Sequence, residues 1–175
     1  MPAPRRLSIV PLTSEDAPIA ANYVAELLNY IYEDVPAARD GYLSWHRAED
    51  LERRIGSEDW LQLVAKRGDR VVGIALSSLD AGIGTLLWLY VSPVERARGV
   101  GSDLVEETCR ILMERGCHKA DVLTRSTFPH LRRFYGGLGF TLSGEFHRYR
   151  YGIDTLYFMR DLDEVERPRV ANILF

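Results

Sequence analysis

The sequence lacks a long apolar run: no stretch of about 18 apolar residues is present, and no apolar signal region lies near residue 1. It also lacks a basic excess, since 22 Lys and Arg residues face 25 Asp and Glu residues and the formal net charge is −3. A protein whose main partner is nucleic acid carries a clear basic excess. We therefore expect a cytoplasmic protein that does not span a membrane and does not take nucleic acid as its main partner.

Cysteine is scarce as well. Cys109 and Cys117 fall on and just after one helical pattern, and neither has metal-ligand residues around it. We interpret both as buried or spare thiols in a reducing compartment, and we expect no metal site. Hydrophobic residues make up 46% of the 175 residues, which is enough for the core of one domain. We assign that domain to residues 1–163 and a C-terminal tail to residues 164–175.

Hydrophobic periodicity predicts an α/β domain in which helices cover both faces of one mixed sheet. The predicted strands are residues 5–12, 61–66, 70–78, 85–91, 119–124, 140–146 and 155–160. Four helices are predicted. The first begins at Thr13 or Ser14, and the second covers residues 44–55 with Ser44 as its N-cap. The third begins at about Ser102, and the fourth follows Thr127 as its N-cap.

One strand of this pattern, residues 85–91, is apolar at nearly every position. Both of its faces are therefore expected to be covered. A helix separates it from the strand at residues 119–124, so we expect these two strands to be parallel neighbours joined by a right-handed crossover.

A short basic glycine loop joins strand 85–91 to the next helix. It contains Arg96, Arg98, Gly99 and Gly101, with Ser102 at the start of the helix. Glycine lets a backbone approach a ligand closely, and the free N–H groups of a first helical turn attract an anion. Arginine side chains fit phosphate oxygens. The loop therefore predicts an anion-binding site.

Two common phosphate-binding patterns fail at this loop. GxxxxGK[ST] is absent, and the dinucleotide pattern GxGxxG has Leu104 where the third glycine belongs. Of the three functions considered for this sequence, a nucleotide-binding protein is therefore the least favoured; the other two are given at the end of this section.

The segment LYVSPVERARGVGSDLVEE closely resembles the acyl-CoA loop of the GNAT family of N-acetyltransferases, and LRRFYGGLGF resembles that family's second hallmark, a helix ending in Phe-Tyr-x-x-x-Gly-Phe. The resemblance covers roughly residues 7–160. It implies a mixed, mostly antiparallel central sheet of about seven strands, with a splayed parallel pair and helices on both faces.

The resemblance also implies that acetyl-CoA is the co-substrate. The loop would hold its pyrophosphate, and the splayed strand would pair with the pantetheine arm through the backbone of Leu89 and Val91. Tyr135 matches the family's helix tyrosine, whose phenol would protonate the departing thiolate as a general acid. The cofactor-binding residues implied are Leu89, Tyr90, Val91, Arg96, Ala97, Arg98, Gly99, Val100, Gly101 and Ser102.

Two positions depart from the family pattern. Phe128 stands where many relatives have Asn, and Trp88 stands where relatives often have Glu. A carboxylate base is thus missing from its usual place, although an ammonium group must lose a proton before it can attack. The alternatives are a water chain or one of four residues that we expect to be surface residues: Glu33, Asp34, Glu145 and His147.

By resemblance, the acceptor groove is formed by the first two helices, their loop and the last hairpin. Its aromatic and acidic residues suit a cationic or amphipathic amine, although Arg148 and Arg150 oppose this, and the same surface would also suit a homodimer. The acceptor stays an unidentified amine: a small amine, an amino acid, an antibiotic or a protein. The groove residues implied are Tyr30, Tyr32, Glu33, Asp34, Trp45, Phe146, His147, Tyr149 and Tyr151.

The main hypothesis is an N-acetyltransferase that moves an acetyl group from acetyl-CoA to a primary amine. Direct attack in a ternary complex is expected, because no cysteine falls at the site. The alternative is a non-catalytic acyl-CoA-binding or sensing domain, which Trp88 and Phe128 keep open.

Overall fold

The computed structural model describes residues 6–162. The boundary at residue 163 and the predicted tail, residues 164–175, lie outside this part of the chain. Within residues 6–162, none of the helices has the length and hydropathy that a membrane span requires. The elements are β1 (Leu7–Pro11), α1 (Ala17–Ile31), α2 (Pro36–Leu43), α3 (Ala48–Arg53), β2 (Trp60–Arg67), β3 (Arg70–Asp80), β4 (Ile83–Val91), α4 (Val100–Glu114), β5 (Lys119–Arg125), α5 (Pro129–Gly137), β6 (Thr141–Phe146) and β7 (Thr155–Asp161).

Seven strands form one sheet in the order β1-β2-β3-β4-β5-β7-β6. Neighbouring strands are antiparallel except for β4 and β5, which run parallel and are joined through α4. The prediction of a mixed, mostly antiparallel sheet with one parallel pair is confirmed.

Helices cover both faces of this sheet. One core contains Leu104 and Leu112 of α4 together with Tyr135 of α5. The other core contains Leu28 of α1 and Leu51 of α3. The four leucines are completely removed from water, and burying each of them contributes about 1.5–3 kcal/mol. β4 lies between these two cores and is held from both sides.

The expectation that both faces of β4 are covered is wrong in part. Leu86, Trp88 and Tyr90 are buried, but Leu87 and Leu89 between them are only half-buried. The half-buried positions face a cavity rather than a helix, and this cavity is the reason that an apolar strand keeps an accessible side.

The single helix predicted over residues 44–55 is also wrong. The structure instead has α2 before this segment and the shorter α3 within it. Ser44 follows the end of α2, and its hydroxyl donates to the carbonyl of Gly41 at 2.7 Å. Only one side chain of α2, Ala38, is buried, so the helix has no apolar stripe that periodicity would detect.

Two helix starts differ from the expected caps. Thr13 does not cap α1; its amide and hydroxyl donate to the carboxylate of Asp16 at 3.2 and 2.8 Å, and Asp16 is the N-cap residue. Lys66 of β2 lies 2.8 Å from the same carboxylate and fixes α1 against the sheet. At α5 the N-cap residue is Phe128, one position after Thr127.

Gly84 generates the first testable prediction, because it lets α4 approach β4 closely. A Cβ atom added at Gly84 would lie 2.8 Å from Cγ of the fully buried Leu112 and would overlap both of its Cδ atoms. We expect Gly84→Ala to lower the free energy of unfolding by about 1–3 kcal/mol, measured by urea denaturation. Gly136→Ala is the control, since nothing lies within 4 Å of a Cβ added there. Equal losses in both variants would contradict the close approach.

Candidate active site

The pairing between β4 and β5 stops part of the way along both strands. The last pair of facing residues is Leu86 and Val122, yet β4 continues to Val91 and β5 to Arg125. The predicted splay of the parallel pair is therefore present. Beyond Leu86 and Val122, the facing backbone edges have no strand partner, and buried backbone N–H and C=O groups need one. This gap is suited to an extended ligand that itself offers amide groups.

A β-bulge lies where the two strands part. Leu76 of β3 faces Trp88, and its neighbour Ser77 faces Leu86, so Leu87 is the extra residue in β4. Leu86 packs into the core beneath α4, whereas Trp88 packs into the core beneath α1. A bulge bends its strand and increases the local twist, so it directs the end of β4 away from β5.

A cavity of about 350 Å³ lies between the separated strand ends, and we call it the donor cavity. Of the predicted site residues, Leu89, Tyr90, Val91, Arg96 and Tyr135 line it. Residues 97–102 do not. Its other lining residues are Leu27, Tyr30, Ile31, Tyr32, Leu87, Trp88, Val122, Leu123, Thr124, Arg125, Phe128, His130 and Leu131.

The glycine loop lies beyond β4 and turns through two left-handed residues. Ala97 has φ +58° and Gly99 has φ +82°. The first hydrogen bond of α4 runs from the amide of Asp103 to the carbonyl of Gly99 at 2.9 Å. The amides of Val100, Gly101 and Ser102 precede it and have no intrahelical partner. The loop therefore presents three successive N–H donors at a helix start that is positive in potential.

The two loop arginines have different environments. Arg96 donates from Nε to the carbonyl of Val91 at 3.1 Å, next to the donor cavity. Arg98 lies 3.7 Å from Glu95. Only Arg96 of this pair lines the cavity.

Glu95 is a loop residue that sequence reasoning missed. Arg67 of β2 donates to its carboxylate at 2.8 Å and Arg70 of β3 donates at 3.3 Å. These side chains cover the carboxylate, and the hydrogen bond from Arg67 holds the pKa of Glu95 below its usual value. Glu95 thereby ties the glycine loop to the β2–β3 hairpin, and no local signal reveals such a contact.

Tyr135 is almost fully buried and forms part of the donor cavity wall. Its ring centroid lies 5.5 Å from that of Phe140 and 6.1 Å from that of Phe158. Within residues 6–162, no hydrogen-bond partner of its hydroxyl is found. Burial raises the pKa of Tyr135 well above its usual value, so the phenol is protonated at neutral pH.

A second, smaller cavity of about 80 Å³ adjoins the first, and we call it the acceptor-side cavity. Six residues line both, so the two cavities meet between the strand ends: Tyr32, Leu87, Trp88, Leu123, Thr124 and Arg125. The residues that line only the smaller one are Tyr42, Thr85, Leu86, Tyr149, Arg150, Ile153 and Thr155.

Trp88 is anchored to the segment after α2. Its indole N–H donates to Nε2 of His46 at 3.0 Å, and the imidazole Nδ1 lies 2.8 Å from the carbonyl of Tyr42. Because Nε2 accepts, the ring is neutral and Nδ1–H donates to Tyr42. Burial also lowers the pKa of His46. Both ring nitrogens are thus engaged, and His46 fixes the position of Trp88 rather than taking up protons.

Three of the four base candidates already have partners. Arg125 donates two hydrogen bonds to Asp34, at 2.7 and 2.9 Å, and lowers the pKa of Asp34 to about 2. Glu145 accepts from an arginine of α5 at 3.1 Å, and His147 lies 2.8 Å from Asp154. Glu33 is exposed. Among the described residues, no Asp or Glu lines either cavity.

The aromatic residues predicted for the acceptor groove are only partly brought together. Tyr32 and Tyr149 line the acceptor-side cavity, but Tyr30 lines the donor cavity, where its ring packs 5.9 Å from that of Phe128. Trp45 is 68% exposed and lines neither cavity. Sequence reasoning missed Tyr42 because it lies in α2, the helix that periodicity did not predict.

The cysteines lie away from both cavities. Cys109 and Cys117 are buried and form no disulfide, and burial raises the pKa of Cys109 to about 11. Neither thiol lines a cavity. No group of three or more His, Cys, Asp or Glu side chains within residues 6–162 is placed to hold a metal ion.

Comparison with protein families and curated sequences gives one consistent result. Residues 25–140 match the model of the acetyltransferase (GNAT) family. An acetyltransferase from Sodalis glossinidius is 33% identical over 82 residues, and one from Yersinia pestis is 32% identical over 82 residues. Each match covers 46% of this chain and 58% of the relative, so the matched stretch spans little more than half of these relatives.

Solved structures show the same fold. The PaiA N-acetyltransferase from Thermoplasma acidophilum, in complex with coenzyme A, has a TM-score of 0.75 at 19% identity and covers 89% of this chain and 99% of its own. A putative acetyltransferase from Salmonella typhimurium with acetyl-CoA has a TM-score of 0.72 at 20% identity and covers 95% of this chain and 99% of its own.

The contact between Trp88 and His46 generates the second prediction. We expect Trp88→Phe to lower the free energy of unfolding at pH 8 by about 1–3 kcal/mol, because it leaves the buried Nε2 of His46 without its donor. Urea denaturation measures the change. Trp45→Phe is the matched control, since this indole is 68% exposed, and we expect a change within about 0.5 kcal/mol. Similar losses in the two variants would show that the contact does not stabilise the fold.

Proposed function

The chain belongs to the acetyltransferase (GNAT) family, and we propose that it transfers an acetyl group from acetyl-CoA to a primary amine in a ternary complex. The observation that carries this proposal is the donor cavity between the separated ends of β4 and β5. The glycine loop follows directly after β4, and Tyr135 lines the cavity wall. Similar structures that hold coenzyme A or acetyl-CoA support the choice of donor.

The donor is proposed to lie along the free edge of β4. Amide groups of its pantetheine arm would pair with the backbone of Leu89 and Val91 as an added strand does. Its pyrophosphate would accept from the first-turn amides of α4, with Arg96 beside it. Arg98 is proposed to contribute less, because it lines neither cavity and lies 3.7 Å from Glu95.

Tyr135 is proposed as the general acid. The amine attacks the thioester carbon, the C–S bond breaks as the tetrahedral intermediate collapses, and the phenol transfers its proton to the departing sulfur. Its raised pKa means that the phenol is protonated at neutral pH, as this role requires. Direct attack agrees with the absence of a cysteine from the cavity linings.

The proton lost by the amine is proposed to leave through water, and water then returns a proton to the phenolate of Tyr135. Within the described chain no carboxylate lines either cavity, and Asp34, Glu145 and His147 are engaged elsewhere. The same observation favours one other function, an acyl-CoA-binding domain without turnover. An assay that follows release of free thiol from acetyl-CoA over a panel of amines separates the two functions.

Tyr135→Phe tests the acid directly. We expect kcat to fall by about 100-fold or more, because general acid catalysis contributes on that scale. The Kd of CoA, measured by calorimetry, should change by less than about threefold, since the lost hydroxyl acts on the leaving thiolate. Unchanged turnover would remove Tyr135 from the chemistry.

Gly99→Glu tests the pyrophosphate site. We expect the Kd of CoA to rise by at least about 30-fold, which is about 2 kcal/mol, because a carboxylate would occupy the anion position. Gly116→Glu is a matched control at the other end of α4. Gly99 and Gly116 have φ of +82° and +84°, and nothing lies within 4 Å of a Cβ added at either. Both variants thus carry similar backbone strain, and comparable CoA binding by both would refute the loop assignment.

A further inference from the structure

We infer that the acceptor is a small amine that also carries an anionic group, either a carboxylate, as an amino acid does, or a phosphonate. Arg150 binds this anionic group. The inference rests on the proposed function and names its substrate class. It replaces the sequence-based expectation of a cationic amine.

The charge of the acceptor-side cavity is the first observation. Its lining contains two arginines, Arg125 and Arg150, and no Asp or Glu. The charge of Arg125 is balanced by its two hydrogen bonds to Asp34. Arg150 has no carboxylate within 4.0 Å in the part of the chain that the structure describes. The cavity therefore holds one uncompensated positive charge, which attracts an anion and repels a second ammonium group.

The position of Arg150 is the second observation. Its guanidinium carbon lies 5.5 Å from the ring centroid of Tyr149. The next residue, Tyr151, has φ +56°, and its ring packs 5.5 Å from that of Tyr42. This packing fixes the turn between β6 and β7 against α2, so the backbone of Arg150 is anchored beside the cavity and its side chain, although exposed, lines the cavity.

The size and lining of the acceptor-side cavity restrict the class of acceptor. A volume of about 80 Å³ leaves room for a small acceptor beside the thioester. A polyamine has a second cation for which the lining offers no carboxylate. A protein N-terminus has no carboxylate beside its amine, so it does not match Arg150 either.

The test is a panel of matched acceptors assayed by thiol release from acetyl-CoA. It contains the common L-amino acids, 2-aminoethylphosphonate, the amide and the decarboxylated amine of each active amino acid, and spermidine. We expect kcat/KM of the best anionic amine to exceed that of its uncharged analogue by about 10–100-fold, the scale of a charge-assisted hydrogen bond. Arg150→Gln should reduce turnover of the anionic amine by a similar factor and leave the uncharged analogue within about threefold.

Arg148→Gln is the control variant, since Arg148 belongs to the same turn but lines neither cavity. It should leave every rate unchanged. A preference for spermidine or for amides, or an equal loss on all acceptors in Arg150→Gln, would overturn the inference.

Absence of turnover with every amine would count against the proposed function. The anion site at Arg150 is then tested separately, by ligand binding. Thermal shifts of the CoA-loaded protein are compared for N-acetyl amino acids and their amides, in the natural chain and in Arg150→Gln. A shift only with the carboxylates, lost in Arg150→Gln, supports the anion site. Equal shifts with both series, or no shift with either, reject it.

Discussion

β4 and β5 share a parallel edge only as far as Leu86 and Val122, and the rest of the site depends on keeping their ends apart. Separated strand ends are unstable by themselves, because the facing backbone groups lose ladder partners. Three contacts tie these ends to the α1–α2 segment instead. Tyr90 hydrogen-bonds Glu26 of α1, Trp88 donates to the imidazole just after α2, and Arg125 binds the loop between the two helices. The segment acts as a spacer that holds each strand end separately.

This spacer is also the part that the sequence predicted least well. The strand, glycine loop and α4 were predicted because their signals are local: a continuous apolar run, two glycines beside two arginines, and an amphipathic helix. The contacts of the spacer join residues far apart in the chain. Arg125 and Asp34 are 91 positions apart, and Trp88 and His46 are 42 apart. Hydrophobic periodicity does not reveal pairs of residues that are so far apart in the chain. It also does not reveal α2, because this helix buries only one side chain.

For the same reason, the sequence does not reveal which charged residues are already paired with others in the fold. From sequence, Arg96 and Arg98 are equivalent donors in one loop, yet in the structure Arg98 lies 3.7 Å from Glu95 whereas Arg96 lies beside the donor cavity. Asp34 is an available carboxylate in the sequence and a fully engaged one in the structure. Residue type and spacing predict which chemical groups a segment contains. Tertiary packing determines which other residue pairs with each of those groups.

An amino acid acceptor would also account for the acid missing at Trp88. Its ammonium lies close to its own carboxylate, and at about 4 Å with an effective dielectric constant near 20 this attraction is about 4 kcal/mol, or about 3 pKa units that hold the proton on nitrogen. Pairing of that carboxylate with Arg150 would offset the attraction, and the apolar walls of Leu87 and Trp88 would further disfavour the charged amine. The free amine would then form by proton loss to water. On this view a carboxylate base at position 88 would be unfavourable, because it would restore the field that Arg150 removes.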